Sequence, residues 1–174
     1  RRQRQMCIRD SVSGDHYTIS EAWLDRVQEV LDYAVDDDMY VILNIHHDTD
    51  KEYCYPDKEH LEQSLSYMTF IWEQLADRFG DYDEHVIFES INEPRLVETD
   101  HEWWLDMNAA ECVEAVECIN EWNQNFVDVV RKTGGNNATR YLMVPGYDAS
   151  ADGVLNDKFV LPTDTAENEG KILV

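Results

Sequence analysis

The segment VIFESINEP at residues 86–94 places an amide and a carboxyl group, Asn92 and Glu93, directly after an apolar run and before Pro94. A proline has no amide hydrogen and biases the preceding residue toward extended backbone, so we expect Glu93 at the carboxyl end of a strand. Barrel enzymes carry their catalytic groups at this end. A lone glutamate in so acidic a chain is usually a solvated surface group, and it is the position of Glu93 that makes it a candidate for acid–base chemistry. Glu89 shares its strand parity and is predicted to be a deeper, hydrogen-bonded carboxylate without a catalytic role.

Polar side chains also follow two other apolar runs of the sequence. They are His46, His47 and Asp48 after residues 39–45, and Tyr147 and Asp148 after residues 140–146. Because the carboxyl ends of parallel strands converge on one mouth, we expect these groups and Glu93 to form one site. A cleft of acids, imidazoles and aromatic rings suits glycosidic chemistry, in which a carboxylic acid protonates the leaving oxygen while aromatic faces hold the sugar rings.

The two adjacent histidines are candidates for substrate contact rather than for metal binding. Consecutive strand residues point to opposite faces, and no HExxH or HxH spacing is present, so the sequence predicts no metal site at His46 and His47. Parity places Asn44 and His46 on one face, and His46 is our choice for the ring that faces the barrel axis. A histidine bonded within the protein is the alternative for either ring. Trp103 and Trp104 are either sugar platforms or loop packing.

Three amphipathic helices are predicted from apolar residues at helical spacing. The first begins near Thr18, which fits a capping box with Glu21. The second is closed by Gly80, and the third is stopped by Gly134 and Gly135. These signals predict where the helices end, and therefore where the strands between them lie.

Four apolar segments separate or follow these helices and are predicted to be strands: residues 39–45, 86–91, 140–147 and 171–174. The near-continuous apolarity of the first suits a strand buried on both faces. Alternating strands and helices are typical of parallel α/β architecture. A complete barrel of this kind has about 250 residues, so we expect this 174-residue chain to be a fragment of a (β/α)8 TIM barrel.

The net charge of the chain limits the kinds of molecule that it is expected to bind. The formal net charge of -23 repels phosphate backbones and anionic lipid headgroups, so neither nucleic acid nor a membrane is an expected partner, whereas a neutral sugar is not repelled. No apolar run reaches the roughly 18 residues that a membrane-spanning helix needs. Cys7, Cys54, Cys112 and Cys118 form no CxxC pair and are predicted to be free thiols. A bridge between Cys54 and either helix cysteine is the alternative.

The first eleven residues, RRQRQMCIRDS, differ in composition from the rest of the chain. They hold four of its fourteen lysines and arginines, and MCIRDS resembles the translated end of a sequencing adapter. We therefore expect residues 1–11 to be a non-native leader and residues 12–174 to be a partial catalytic barrel. The alternative is a solvated basic arm.

Several motifs in order resemble glycoside hydrolase family 5, in its bacterial endo-β-1,4-glucanase branch. They are VILNIHHD, CYPDKEHLEQS, VIFESINEPR, INEWNQNFVDVVRKTGGNN and RYLMVPGY. The resemblance implies a (β/α)8 barrel, retaining hydrolysis of β-glucan without a cofactor, secretion, and a monomer when full length. It also implies residue roles. Glu93 matches the general acid/base, Asn92 the neighbour that bonds the sugar 2-hydroxyl, and His46 a histidine that lines the same subsite. His47 and Tyr147 are further candidates for substrate binding.

The resemblance also implies what this chain does not hold. The family's nucleophilic glutamate follows the seventh strand and an arginine follows the second, whereas this sequence corresponds to strands three to six. We therefore expect no glucanase turnover, and aggregation or poor order, from the isolated chain. Family members that act on xyloglucan, mannan or mixed-linkage glucan are alternatives, as is a noncatalytic carbohydrate-binding module.

Overall fold

A computed structural model describes residues 12–13 and 17–174. The predicted leader at residues 1–11, with Cys7, lies outside the described residues. The elements in chain order are β1 (Val12–Ser13), β2 (Thr18–Ile19), α1 (Glu21–Asp36), β3 (Val41–Asn44), α2 (Leu61–Arg78), β4 (Val86–Glu89), α3 (Ala110–Lys132), β5 (Leu142–Met143), α4 (Ala151–Leu155) and β6 (Ile172–Leu173). Short 3₁₀ turns lie at Gly135–Ala138, Tyr147–Ala149 and Ala166–Asn168.

The main sheet has four parallel strands in the order β3-β4-β5-β6. Val41 pairs with Val86, and Leu142 lies between Phe88 and Ile172. Each parallel connection carries a helix or a long loop, as the sequence predicted. The predicted partial barrel is therefore confirmed, because four neighbouring parallel strands in chain order are one half of an eight-stranded ring. β1 and β2 form a separate antiparallel pair.

Aromatic side chains fill the space between the sheet and its helices. Trp72 of α2 lies 5.4 Å from Phe88 of β4 and 4.6 Å from Phe126 of α3, measured between ring centroids. All three are fully buried. The indole nitrogen of Trp72 donates to the carbonyl oxygen of Ser90 at 2.9 Å, so the core also fixes the chain just after β4.

Two predicted helix ends differ from the structure. Thr18 lies in β2, and the N-cap of α1 is Ser20, which makes no side-chain capping bond, so the predicted capping box is wrong. The C-cap of α2 is Phe79 rather than Gly80. A glycine is nevertheless required at position 80, since a Cβ atom there would lie 2.7 Å from the carbonyl oxygen of Ala76.

The end of α3 follows the prediction. Arg131 and Lys132 occupy its last turn, where they complement the negative end of the helix. Gly134 and Gly135 follow with φ angles of 74° and 57°, a region that favours glycine.

β3 is an edge strand within the described sheet, and not a strand buried on both faces. Ile42 is 50% exposed, so the prediction of full burial is wrong for this segment. β6 forms the opposite edge. Long apolar runs are typical of barrel strands because both faces are covered, and here one neighbour of β3 is absent from the described sheet.

The amino-terminal side of the sheet is closed by Arg140. Its guanidinium is buried and lies 4.3 Å over the ring of Phe88. It donates to backbone carbonyls of the turn between α2 and β4 and of the first residue of β4. These are the carbonyls of Phe79, Gly80, Tyr82, Asp83 and Val86. Burial lowers the pKa of Arg140 to about 10, so the residue stays charged at neutral pH.

Cys54, Cys112 and Cys118 are buried free thiols, which confirms that prediction for the described cysteines and excludes the alternative bridge from Cys54 to either helix cysteine. Among residues 12–13 and 17–174, no helix combines the length and apolarity that crossing a bilayer demands.

Candidate active site

The ends of β3, β4 and β5 are joined by backbone hydrogen bonds just beyond the last strand residues. The amide of Asn92 donates to the carbonyl of Ile45 at 2.7 Å, and that of Ser90 to Met143 at 3.0 Å. The amide of Asp148 donates to the carbonyl of Pro94 at 2.8 Å. The polar residues that follow three separate strands are thereby held at one rim of the sheet, as the sequence predicted.

Glu93 stands at this rim in a strained backbone conformation. Its φ angle is 42°, in the left-handed region that non-glycine residues rarely adopt, so the extended backbone predicted for the residue before Pro94 is wrong. Its side chain is 44% exposed, which leaves the carboxyl group open to the cleft. Strain of this kind costs on the order of 1–3 kcal/mol and persists where surrounding contacts enforce it, often at functional sites.

Arg95 supplies the contacts that enforce this conformation. Its Nη1 atom donates to the backbone carbonyl of Glu93 at 2.8 Å and lies 3.5 Å from Oε2 of the same residue. Its Nε atom lies 3.5 Å from Oε1 of Glu102, and its guanidinium carbon lies 4.0 Å over the ring of Trp103. Arg95 was not among the site residues predicted from the sequence, although it directly follows Asn92, Glu93 and Pro94.

His46 and His47 meet edge to face, with ring centroids 4.5 Å apart and an interplanar angle of 71°. Strand parity does not decide which ring faces the barrel axis, because β3 ends at Asn44, before either histidine. Burial, with the neighbouring charge of His47, lowers the pKa of His46, while Glu93 opposes the shift. His46 is therefore a neutral imidazole at neutral pH, able to donate one hydrogen bond to a sugar hydroxyl.

Asn92 is partly exposed. Its backbone amide is committed to Ile45, whereas its side-chain amide makes no hydrogen bond to the described residues. An amide so placed, beside Glu93, is open to a ligand hydroxyl.

Tyr147 does not reach the cleft. Its side chain is 1% exposed, and its hydroxyl donates to the carbonyl of His101 at 2.5 Å while accepting from the amide of Leu96 at 3.0 Å. Burial raises the pKa of Tyr147 to about 12. The prediction that Tyr147 binds substrate is wrong, because its hydroxyl is already bonded to the loop that follows β4 and its ring has no free face.

Two further carboxylates lie near Glu93. Glu89 points to the inner side of the sheet and accepts a 2.6 Å hydrogen bond from the side chain of Asn44, which confirms the predicted bonded carboxylate. Burial raises its pKa, and the charge of Glu93 adds to that shift. Burial also raises the pKa of Asp148, against the lowering effect of Arg95. The Oδ1 atom of Asp148 is buried without a hydrogen-bond partner among the described residues.

The exposed tryptophans lie in the loop after β4. Trp103 is 63% exposed and Trp104 is 72% exposed. One face of Trp103 is covered by Arg95, so part of this ring is loop packing while the remainder is free.

One cluster among the described residues has donor atoms close enough to hold a metal ion. Neither His46 nor His47 belongs to it. It consists of Asp57, Glu59 and His60 before α2. Asp57 there accepts from the backbone amide of His60 at 2.8 Å and lies 2.7 Å from its Nδ1 atom. These bonds are those of a local turn at the start of a helix.

The described sheet is half of a parallel barrel. It carries an Asn-Glu pair just beyond β4 and two histidines just beyond the neighbouring strand β3. This arrangement is typical of barrel glycoside hydrolases. The family model "Cellulase (glycosyl hydrolase family 5)" matches residues 4–173. The chain belongs to this family.

Relatives of known structure or curated function agree with this assignment. Endoglucanase B of Ruminococcus albus is 45% identical over 151 residues, which are 87% of this chain and 35% of the relative. The catalytic domain of CelCCA superposes with a TM-score of 0.94 at 50% identity, over 96% of this chain and 44% of that one. A mutant lichenase of Caldicellulosiruptor sp. F32, solved with cellotetraose, gives a TM-score of 0.93 at 53% identity over the same shares.

The chain spans about a third of the length of the curated relative and less than half of the solved chains. It therefore superposes on one part of a known (β/α)8 barrel.

Proposed function

We propose that this chain forms the acid/base side of the active site of a retaining endo-β-1,4-glucanase. Glu93 is the general acid/base, Asn92 binds the sugar 2-hydroxyl, and His46 and His47 line the same subsite. The single observation that carries the proposal is the hydrogen bond between Asn92 and Ile45, since it sets the Asn-Glu pair beside the histidines at one rim. Family membership supplies the chemistry that such a rim performs.

Glu93 has the exposure that its role requires. In the first step it gives a proton to the glycosidic oxygen as the bond to the anomeric carbon breaks, and in the second it takes a proton from water. The carboxyl group of Glu93, 44% exposed just beyond the end of β4, can reach a substrate, whereas the half-buried Glu89 is engaged with Asn44.

The second carboxylate is proposed to come from outside residues 1–174. A retaining enzyme needs it about 5–5.5 Å from the acid/base, where it attacks the anomeric carbon. We therefore expect the purified chain to release no reducing sugar from carboxymethylcellulose. Release that Glu93→Gln abolishes would contradict this part of the proposal.

The proposed substrate is a β-glucan, acted on outside the cell because polymeric glucans do not enter cells. Support comes from solved relatives that hold cello-oligosaccharides, among them an endoglucanase of Ruminococcus champanellensis with cellotriose. A negative field does not repel neutral sugars. Lichenase and xyloglucan-specific enzymes are also among the relatives, which supports mixed-linkage glucan and xyloglucan as rival substrates. Mannan is a further alternative. We propose that the full-length enzyme is a monomer.

The test uses a completed barrel, in which residues 17–174 are joined to the remaining strands of the Caldicellulosiruptor lichenase. This partner is chosen because the two superpose at a TM-score of 0.93. We expect Glu93→Gln to reduce hydrolysis of carboxymethylcellulose by about 10²-fold or more, the share that general acid catalysis contributes. Glu73→Gln, on the exposed face of α2, is the matched control and should leave the rate unchanged. A Glu93→Gln barrel with full activity would refute the proposed role.

The noncatalytic alternative rests on the exposed tryptophans. It predicts that the isolated chain binds cellulose, that binding survives Glu93→Ala, and that Trp103→Ala abolishes it. A pull-down with insoluble cellulose separates the two functions.

A further inference from the structure

Arg95 touches Glu93 at two points. Its Nη1 atom donates to the backbone carbonyl of Glu93 at 2.8 Å and lies 3.5 Å from the carboxyl oxygen Oε2. The first contact is a hydrogen bond to the left-handed backbone of Glu93, and the second sets the guanidinium beside Oε2 of its carboxyl group. Arg95 therefore contacts both the backbone and the carboxyl group of Glu93, the proposed general acid/base.

The chemistry of a guanidinium decides which oxygen of Glu93 carries that proton. Arginine has five N–H donors, no acceptor, and a permanent positive charge. A proton placed on Oε2 would face this cation and could form no hydrogen bond to it. The neutral form of Glu93 therefore carries its proton on Oε1.

Arg95 is itself held from three sides. Glu102 Oε1 lies 3.5 Å from its Nε atom, the ring of Trp103 lies under its guanidinium at 4.0 Å, and its side chain is only 18% exposed. Asp148, at the end of β5, is near enough for the charge of Arg95 to oppose the rise in its pKa that burial causes. Such a cation cannot move away from Glu93 without also leaving the carboxylate of Glu102 and the ring of Trp103.

Other titratable groups lie around Glu93 on β4 and at the ends of the neighbouring strands. They are His46 after β3, Glu89 within β4 and Asp148 after β5. Arg95 is the cation in contact with the Glu93 carboxyl group within the described residues. Its contact is therefore the one that distinguishes the two carboxyl oxygens.

The geometry points to Arg95 as a positioning residue that places the catalytic proton on Oε1 of Glu93 and turns this oxygen to the scissile bond, an inference that rests on the proposed function. In the first step, Oε1 gives its proton to the glycosidic oxygen, which keeps the electron pair of the broken bond. The second carboxylate of the completed barrel forms a bond to the anomeric carbon. In the second step a water oxygen replaces that carboxylate and its proton returns to Oε1.

The experiment compares two substrates in the completed barrel. Cellotetraose needs protonation of its leaving oxygen, whereas 2,4-dinitrophenyl β-cellobioside has a leaving group that departs without a proton. The quantity measured is kcat/KM, which reports the first chemical step. We expect Arg95→Met to lower kcat/KM for cellotetraose by about 10²-fold and that for the dinitrophenyl substrate by less than about 3-fold.

Companion variants keep the inference falsifiable if Arg95→Met does not fold. Arg95→Lys keeps the charge but loses the planar fork, and Glu102→Gln loosens Arg95 without removing it. Both variants should lower kcat/KM for cellotetraose more than kcat/KM for the dinitrophenyl substrate, but by less than Arg95→Met does. Lys158→Met, which removes an exposed cation outside the site, should change neither rate.

The outcomes separate this inference from the proposed function. Equal losses on both substrates with Arg95→Met or Arg95→Lys, or no loss at all, would overturn the positioning role while Glu93→Gln still lowers kcat/KM for cellotetraose more than for the dinitrophenyl substrate. If Glu93→Gln leaves cellotetraose hydrolysis unchanged, the proposed function itself fails and the inference falls with it.

Discussion

The side chain of Asn44 donates a 2.6 Å hydrogen bond to the carboxylate of Glu89, and the two residues are register partners across β3 and β4. The pair lies on the inner side of the sheet, below the rim that carries Glu93. It shows that the barrel interior beneath the site is polar, with a titratable group whose ionisation the protein opposes.

This pair predicts a pH-dependent stability. Burial raises the pKa of Glu89 in the folded chain, so folding favours the protonated form. The stabilisation is complete below the unfolded pKa and is lost as the pH rises through the folded pKa. We therefore expect Glu89→Gln to raise the free energy of unfolding of the completed barrel at pH 7, and to have a smaller effect near pH 4. Urea denaturation at the two pH values measures this, and an equal effect at both would contradict it.

Tyr147→Phe tests the structural role that replaces the predicted binding role. The loss of the hydroxyl leaves the amide of Leu96 and the carbonyl of His101 without their buried partner. We expect a loss of about 1–2 kcal/mol in the free energy of unfolding of the completed barrel and faster amide exchange at Leu96. Tyr40→Phe, at a 65% exposed tyrosine, is the control and should change neither.

A direct role of Tyr147 in sugar binding gives a different result. Tyr147→Phe would then weaken cellotriose binding without altering exchange at Leu96. Isothermal titration of the completed barrel with cellotriose distinguishes the two.

The position of Glu93 just beyond β4 was predictable from local chain chemistry, but its backbone conformation was not, because Pro94 favours an extended predecessor whereas the φ angle of Glu93 is 42°. Pro94 cannot continue a ladder or a helix, and the apolar run before it has strand length. Gly134 and Gly135 ended α3 as expected for the same reason, since the left-handed φ angles there suit residues without a Cβ atom.

Thr18 and Tyr147 were misjudged because tertiary contacts override local propensity at both positions. Gln74 of α2 accepts from the amide of Ile19 at 2.9 Å and donates to the carbonyl of Tyr17 at 3.1 Å, which holds Thr18 in a strand instead of a cap. Tyr147 is buried because the loop after β4 folds over it, and a loop path is not encoded by periodicity.

The contacts between Arg95 and Glu93 also could not be predicted from a sequence pattern. It depends on the left-handed backbone at Glu93, which no residue type in the motif requires.

Arg140→Met tests the closure of the amino-terminal side of the sheet. The substitution keeps an apolar stem over Phe88 but leaves several buried carbonyls without a donor. We expect a loss of about 3 kcal/mol or more in the free energy of unfolding. Arg78→Met is the matched control, because the partners of Arg78, Glu21 and Asp25, are largely exposed and such a pair contributes about 0–1 kcal/mol. Equal losses in urea denaturation of the two completed barrels would refute the special role of Arg140.

The buried ion pair between Arg131 and Asp164 gives the opposite pH dependence to Glu89. The guanidinium contacts one carboxyl oxygen of Asp164 at 2.9 Å, and both side chains are at most 10% exposed. Burial opposes ionisation of Asp164, but the hydrogen bonds from Arg131 and Asn168 outweigh it and lower its pKa. The stabilisation is therefore present above the unfolded pKa and is lost as the pH falls through the folded pKa.

Asp164→Asn should accordingly cost about 3 kcal/mol at pH 7, because it leaves the charge of Arg131 buried without its partner. The difference from the parent should shrink below a pH of about 4, where the unfolded aspartate gains its proton. Asp157→Asn, at an exposed aspartate, should be neutral at both pH values. Urea denaturation of the completed barrel at pH 7 and pH 3.5 measures both variants. A cost for Asp164→Asn that stays constant with pH would show that packing, rather than the charge of Asp164, holds Arg131 in place.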